Sequence, residues 1–190
     1  MDTGARWGIT MITDELLTLT QWLSPAFPLG SFAYSHGLET AITEGQVTSA
    51  DTLQAWLETV ISRGTGWTDA LLVCAAKRGE DMTALTRALA GSRERLEESE
   101  AQGAALATTL RAMGHAVPEA PLPVVLGTAV RGFQTETDKI LALYLQNFAT
   151  NLVQIAVRFV PLGQSEGQRV LASLQPVSAA TARRAAAHSD

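Results

Sequence analysis

The segment Ala33–Gly37 (AYSHG) resembles the Gly-x-Ser-x-Gly elbow that presents a nucleophilic serine in hydrolases. That chemistry needs a strand before the serine, and the residues 28–31 (PLGS) are typical of a loop instead. Adjacent side chains such as Ser35 and His36 also diverge on a helix, so a shared proton is not expected. A serine hydrolase using this segment is therefore the alternative function. The favoured interpretation is that both side chains bond locally or contact a partner.

Metal and nucleotide chemistry have weak support in the sequence. The three histidines, His36, His115 and His188, are far apart, and Cys74 is the one cysteine, which excludes an internal disulfide and a cysteine-cluster zinc site. Cys74 lies in an apolar helical run and is predicted to be a buried, inert thiol. A weak nickel site shared by two chains stays open, because imidazole suits nickel. No phosphate-binding Gly-x-x-x-x-Gly-Lys-Ser/Thr loop occurs. We predict no catalytic residue, no resident cofactor and no metal ligand.

Residues 21–39 (QWLSPAFPLGSFAYSHGLE) combine prolines, glycines, aromatics and serines. A core helix does not require that mixture. Pro25 and Pro28 fix φ, and Gly30 is permissive just before Ser31, a good N-cap. The pattern predicts a helix, a rigid loop and a second helix. The second helix would carry Tyr34, Ser35, His36 and Glu39. Such a constrained loop is typical of recognition.

Residues 161–168 (PLGQSEGQ) form a second unusual block, because two glycines at a helix start disfavour the helix. Close backbone approach at Gly163 or Gly167 would offset that cost. Gln164 and Gln168 lie one turn apart and could present a paired amide surface. The simpler interpretation is a capped turn that packs one helix on another.

Six charged residues also crowd one helix start: Arg93, Glu94, Arg95, Glu97, Glu98 and Glu100. The Arg93–Glu97 pair contributes only ~0.2–0.5 kcal/mol at this spacing. We expect a solvated face here.

Helical periodicity dominates the chain, which predicts an all-α fold, a compact multi-helix bundle in a single domain. Predicted helices span 14–23, about 50–61, 67–77, 82–89, about 93–113, 136–159 and 164–174. Residues 122–132 could form a strand or a helix. We expect a flexible extension over 1–13, the domain over 14–175 and a poorly ordered tail over 176–190.

The helix over 136–159 is apolar on several sides, with a heptad-like seam, and is predicted to be central. It also carries a polar stripe that includes Asn147, Asn151 and Gln154. The stripe either faces solvent or forms a subunit seam or a wetted interior passage, and periodicity cannot decide between them.

Bulk composition restricts the function classes. The chain has 190 residues, 46% of them hydrophobic, and a net charge of −5. The negative charge argues against nucleic acid binding. No signal peptide is evident, and we expect no apolar run to reach the length of a membrane span. The sequence therefore predicts a cytoplasmic protein.

The motifs identify the chain as resembling the UreF family of urease accessory proteins. Residues 21–39 resemble that family's N-terminal signature, and 160–171 (VPLGQSEGQRVL) resemble its C-terminal one. Residues 90–110 and 122–127 are similar in order and spacing, so the resemblance covers roughly 16–175.

The resemblance implies an all-α, helix-mediated homodimer that is not an enzyme. It implies that the chain bridges UreD (also called UreH) and the GTPase UreG, and so supports GTP-dependent nickel insertion into apo-urease. The residues expected to contact partners are Ser24, Phe27, Pro28, Gly30, Ser31, Tyr34, Ser35, His36, Gly37, Glu39, Arg93, Glu94, Pro161, Gly163, Gln164 and Gln168. The possible polar passage is Asn147, Asn151 and Gln154. Family members usually continue with a tail that this sequence lacks after Asp190, which leaves UreD/UreH binding open.

Overall fold

In the computed structural model, residues 3–30 and 34–188 are described, with side chains from Met11 onward except that of Ile12. These residues form nine helices and no strand, which confirms the predicted all-α fold. The helices are α1 (Thr3–Trp22), α2 (Leu38–Thr43), α3 (Ala50–Arg63), α4 (Thr65–Arg78), α5 (Thr83–Ala88), α6 (Arg93–Ala112), α7 (Leu122–Ala129), α8 (Thr137–Phe159) and α9 (Gln164–Ala187).

Polar caps fix where two of the long helices begin. Ser49 starts α3 through a capping box, in which its hydroxyl accepts from the Thr52 amide at 3.3 Å and the Thr52 hydroxyl accepts from the Ser49 amide at 2.9 Å. Ser92 starts α6 by accepting a hydrogen bond from the Arg95 amide at 3.1 Å.

Helix α8 is the central element, as predicted. Leu141, Leu145 and Ala149 are fully buried on it, and α9, α4, α3, α2 and α1 all pack against it. By length and composition α8 could also cross a membrane, contrary to the expectation that no segment would. However, 61% of its most apolar window is buried inside the protein, which is typical of a core helix.

The ambiguous segment at 122–132 is helical over Leu122–Ala129 and ends in a turn at 130–132. Helix α7 lies against α4 at such short range that a Cβ on Gly127 would come within 2.5 Å of the Val73 carbonyl oxygen. An apolar run of this length forms either structure, and the close helix–helix contact decides for a helix here.

Helix α9 is longer than the sequence pattern predicted. It continues through Pro176 to Ala187, so the prediction of a poorly packed tail after Pro176 is wrong for these residues. Proline inside a helix costs about 3 kcal/mol. Beyond the proline, Ala182 and Ala185 are fully buried, and their packing against the bundle offsets that cost. At the other end of the chain, α1 starts at Thr3, well before the predicted start near Asp14.

Candidate functional site

A buried ionic network joins helices α4, α6 and α8. Arg95 on α6 donates a hydrogen bond to Asp69 on α4 at 2.6 Å and another to Glu98, one turn further along α6, at 3.3 Å. The Tyr144 hydroxyl on α8 donates to the same Asp69 oxygen at 2.7 Å. The side chains of Asp69 and Glu98 are only 6% and 4% exposed. A single guanidinium therefore connects two buried carboxylates.

The network extends to the loop before α2 through His36. Its Nε2 lies 2.9 Å from Glu98 Oε1, and Gln102 donates to the same oxygen at 3.0 Å. The imidazole also packs edge-on against Phe148 of α8, with 4.7 Å between ring centroids. Glu98 thus fastens the loop to the interior of the bundle.

Burial shifts the acid–base chemistry of the network. Desolvation raises the pKa of Asp69 above its ordinary value, although Arg95 and the Tyr144 hydroxyl oppose that change. Burial, reinforced by the Asp69 carboxylate, raises the pKa of Tyr144 well above 10. Burial by itself would lower the pKa of Arg95, but the two carboxylates outweigh it and the pKa is raised. Tyr144 and Arg95 therefore act as permanent hydrogen-bond donors.

An open groove of about 720 Å³ lies on the outer side of this network. The loop at 34–37 and the start of α2 form one wall, and residues 91–98 form the other. Exposed acidic side chains line it: Glu39, Glu94 and Glu97. On its inner side, His36, Arg95 and Glu98 belong to both the groove and the buried network.

Some residues of the first predicted segment lie in the core, and others lie at the groove or the surface. Phe27 is 9% exposed and belongs to the hydrophobic core, whereas Pro28 and Gly30 are exposed. Ser24 makes a local turn by accepting a hydrogen bond from the Ala26 amide at 3.1 Å. Ser31, the predicted N-cap, lies outside the described residues.

The prediction that Tyr34, Ser35 and His36 lie on a helix is wrong. Helix α2 begins only at Leu38, because His36 and Gly37 have left-handed φ angles of 53° and 85°. A right-handed helix cannot contain them. Left-handed φ in a non-glycine residue is uncommon, so surrounding contacts must hold His36 in place.

The charged start of α6 is not the uniformly solvated face that was expected. Arg93 and Glu97 do pair at 2.7 Å in solvent, with Arg93 85% exposed. Glu98 is buried instead, and Arg95 is mostly buried, with its side chain 16% exposed, since both lie on the face toward α4 and α8. Glu94 is exposed at the groove. The structure therefore brings Tyr34, Ser35, His36, Gly37, Glu39 and Glu94 together at one groove.

The second predicted segment, at the turn between α8 and α9, does not line this groove. Pro161, Gly163, Gln164 and Gln168 are all exposed there. The predicted close approach occurs at Gly167, where a Cβ would lie 2.8 Å from Val157 Cγ2. At Gly163 the nearest atom would be 3.7 Å away, so that residue has room.

The three residues of the polar stripe on α8 do not share one environment. Asn147 and Asn151 line a small cavity beside the ionic network, and Asn151 is 9% exposed. Gln154 is half-buried and is not among the residues that line that cavity. The passage along all three residues stays a prediction.

The geometry around Ser35 does not support the serine hydrolase alternative. The described residues contain no strand beneath Ser35. His36 directs Nε2 to Glu98, and its Nδ1 has no hydrogen-bond partner, so it accepts no proton from the Ser35 hydroxyl. A triad requires that contact.

Asp69, Gln102 and Tyr144 were missed by the sequence analysis. A weak signal existed for Asp69, which is the lone acidic residue in the apolar run of α4. The spacing of Arg95, Glu98 and Gln102 at steps of three and four residues also places them on one helix face. Neither signal says what the face contacts.

Comparison with known proteins agrees with these motifs. The UreF family model matches residues 47–175. The chain is 53% identical to the urease accessory protein UreF of Cereibacter sphaeroides, over 92% of this chain and 85% of that protein. It is 52% identical to the UreF of Jannaschia sp., over 86% and 76%, and 43% identical to UreF 1 of Brucella canis, over 94% and 85%. Proteins of this kind are named as accessory proteins and not as enzymes, which agrees with the prediction that this chain is not an enzyme. The chain belongs to the UreF family of urease accessory proteins.

Proposed function

We propose that this chain acts in the cytoplasm as a homodimer that bridges UreD/UreH and the GTPase UreG on apo-urease. In that complex it supports nickel insertion and modulates GTP-dependent nickel delivery, with nickel as the cargo. The observation that carries the proposal is the groove at which residues 34–39 and the charged start of α6, including Glu94, converge although they are far apart in sequence. Family membership supports the same assignment.

The buried network explains how the groove keeps its shape. Glu98 holds His36, and Arg95 holds both Glu98 and Asp69, so the loop and α6 are fixed against α4. A recognition loop that is already ordered loses less conformational entropy on binding. The network therefore acts as a support for the partner-binding surface.

The charge of the groove favours a positively charged partner segment. Glu39 and Glu94 are exposed there, and Glu97 is partly offset by Arg93. Complementary charge across an interface accelerates association and makes it sensitive to salt. We expect assembly to weaken as ionic strength rises.

The proposal is tested by size-exclusion chromatography of the purified chain with UreD/UreH and UreG, with and without GTP and nickel. The double variant Glu39→Lys/Glu94→Lys should weaken assembly by about tenfold or more, which corresponds to ~1.4 kcal/mol of binding free energy. Its stability should fall by no more than ~2 kcal/mol, because both residues are exposed but each lies in the first turn of a helix, where a positive charge is disfavoured.

Glu119→Lys is the matched control, since Glu119 is exposed but lies away from the groove. Tyr34→Ala and Gln164→Ala test the two unusual segments separately. Each should reduce complex formation and nickel-dependent urease activation while leaving thermal stability nearly unchanged. Normal assembly of the double variant, or an equal loss of assembly in Glu119→Lys, would show that the groove is not the partner-binding surface.

A further inference from the structure

Five buried side-chain polar atoms of the described residues have no protein hydrogen-bond partner, and three of the five line one cavity. These three are Trp22 Nε1, His36 Nδ1 and Asn151 Oδ1. Trp22 is fully buried, and the His36 side chain and Asn151 are each 9% exposed. They come from α1, the loop before α2 and α8, yet all three residues line the same cavity. A buried polar group left without a partner costs about 1–3 kcal/mol, so such atoms require an explanation.

The hydrogen-bonding chemistry of these atoms restricts what can satisfy them. Because His36 Nε2 lies 2.9 Å from a Glu98 oxygen, Nε2 carries the hydrogen that points at Glu98, and in this tautomer Nδ1 is an acceptor. Asn151 Oδ1 is an acceptor as well, so these two atoms cannot bond to each other. Trp22 Nε1 is a donor only. The set therefore needs a ligand that donates twice and accepts once.

The cavity is large enough for a very small ligand of that kind. It offers about 30 Å³ to the centres of water molecules. One water needs about 10–15 Å³ measured in this way, so the space suits about two. The Asp69 and Glu98 carboxylates also line the cavity, but their oxygens already accept hydrogen bonds from Arg95, Tyr144 and Gln102, so a cation fits less well than water.

We propose that this cavity is a binding site for about two ordered water molecules. They donate hydrogen bonds to His36 Nδ1 and Asn151 Oδ1 and accept one from Trp22 Nε1. The waters tie the loop at 34–37 to α8 and α1 through the ring nitrogen of His36 that Glu98 does not contact. The proposal does not depend on any partner protein and stands or falls separately from the proposed function.

A crystal structure of the chain at about 1.8 Å or better tests the site directly. The expected result is about two ordered waters in the cavity, with at least two of the three atoms within ~3.2 Å of a water oxygen. Direct protein hydrogen bonds to these atoms, a bound cation, or an empty cavity at that resolution would each overturn the proposal.

A solution measurement covers the case in which a variant does not fold. The Trp22 indole proton of the wild-type chain, assigned through its contacts with the neighbouring Phe133 ring, should show a nuclear Overhauser effect to a long-lived water. Absence of that signal in the folded wild type contradicts a bound water at Nε1.

Two variants complete the test. Asn151→Leu removes one acceptor at similar volume and should reduce the ordered waters from about two to one or none. Leu126→Val alters the apolar lining without touching the three polar atoms and should keep both waters. Retention of both waters in Asn151→Leu would show that Asn151 does not hold them.

Discussion

At the scale of single residues, Arg95 is the cation of the buried ionic network, because its guanidinium contacts two buried carboxylates. Arg95→Leu leaves Asp69 and Glu98 without their cation and should lower the free energy of unfolding by about 3–5 kcal/mol. Urea unfolding measures the change. Arg93→Ala is the control on the same helix, since its pair with Glu97 is exposed and contributes ~0.5 kcal/mol or less. Equal losses in the two variants would contradict the network as described.

Glu15 makes a pH-dependent contribution to stability. Its carboxylate accepts hydrogen bonds from the Thr135 hydroxyl at 2.6 Å, the Thr135 amide at 2.7 Å and the Gln134 amide at 2.8 Å. Partial burial alone would raise the pKa of Glu15, but these hydrogen bonds outweigh it and lower the pKa below its ordinary value of 4.5. The carboxylate therefore stabilises the fold above pH 4.5, and this contribution is lost as the pH falls through the lowered pKa.

Glu15→Gln should accordingly reduce the free energy of unfolding by about 1–2 kcal/mol near neutral pH, and the difference from wild type should shrink under acid conditions. Denaturant unfolding at a series of pH values measures this. Asp14→Asn, one residue earlier and exposed, serves as the control. A difference that grows toward low pH would reverse the assigned sign.

At the scale of elements, the α4–α7 contact depends on the absence of a side chain. A Cβ on Gly127 would lie 2.5 Å from the Val73 carbonyl oxygen and 2.6 Å from the Ala76 Cβ. Gly127→Ala should therefore destabilise the protein by about 1–3 kcal/mol, although alanine is the better helix former by ~1 kcal/mol. Gly132→Ala has nothing within 4 Å and should be nearly neutral. A stabilised Gly127→Ala variant in thermal unfolding would mean that the two helices can move apart at low cost.

The C-terminal end of α9 is held by one arginine. The Arg184 guanidinium lies 4.0 Å from the centre of the Trp67 ring and donates a hydrogen bond to the Ser62 carbonyl. Together these contacts contribute about 1–2 kcal/mol, so Arg184→Ala should lower Tm by about 3–6 °C. Arg183→Ala, the exposed neighbour, should change Tm by 1 °C or less. Identical Tm values for both variants would show that the two contacts of Arg184 do not stabilise the end of α9.

For the whole molecule, we predict a homodimer with twice the protomer mass of 20.2 kDa. The heptad seam of α8 cannot provide the interface, because Leu141, Leu145 and Leu152 are buried within the protomer. Exposed apolar side chains elsewhere are better placed, among them Leu17 at 64% and Phe159 at 56% exposure. Sedimentation equilibrium at micromolar concentration measures the mass. A single protomer mass under those conditions contradicts the prediction.

Local interactions explain what the sequence by itself determined. The 3.6-residue periodicity identified the long helices, and Ser49 and Ser92 marked two helix starts because an N-cap acts within three residues of itself. The burial of Cys74 followed from its apolar neighbours. The family resemblance likewise rested on contiguous motifs.

Tertiary structure decided which residues those local patterns place inside. Arg93 and Arg95 are the same residue type two positions apart, but only Arg95 faces α4 and α8. Pro176 did not end α9, because burial beyond it offsets the lost hydrogen bond. The left-handed turn at His36 and the cavity beside Asn151 likewise depend on several elements at once. Burial is a property of neighbours distant in sequence, which no local pattern can specify.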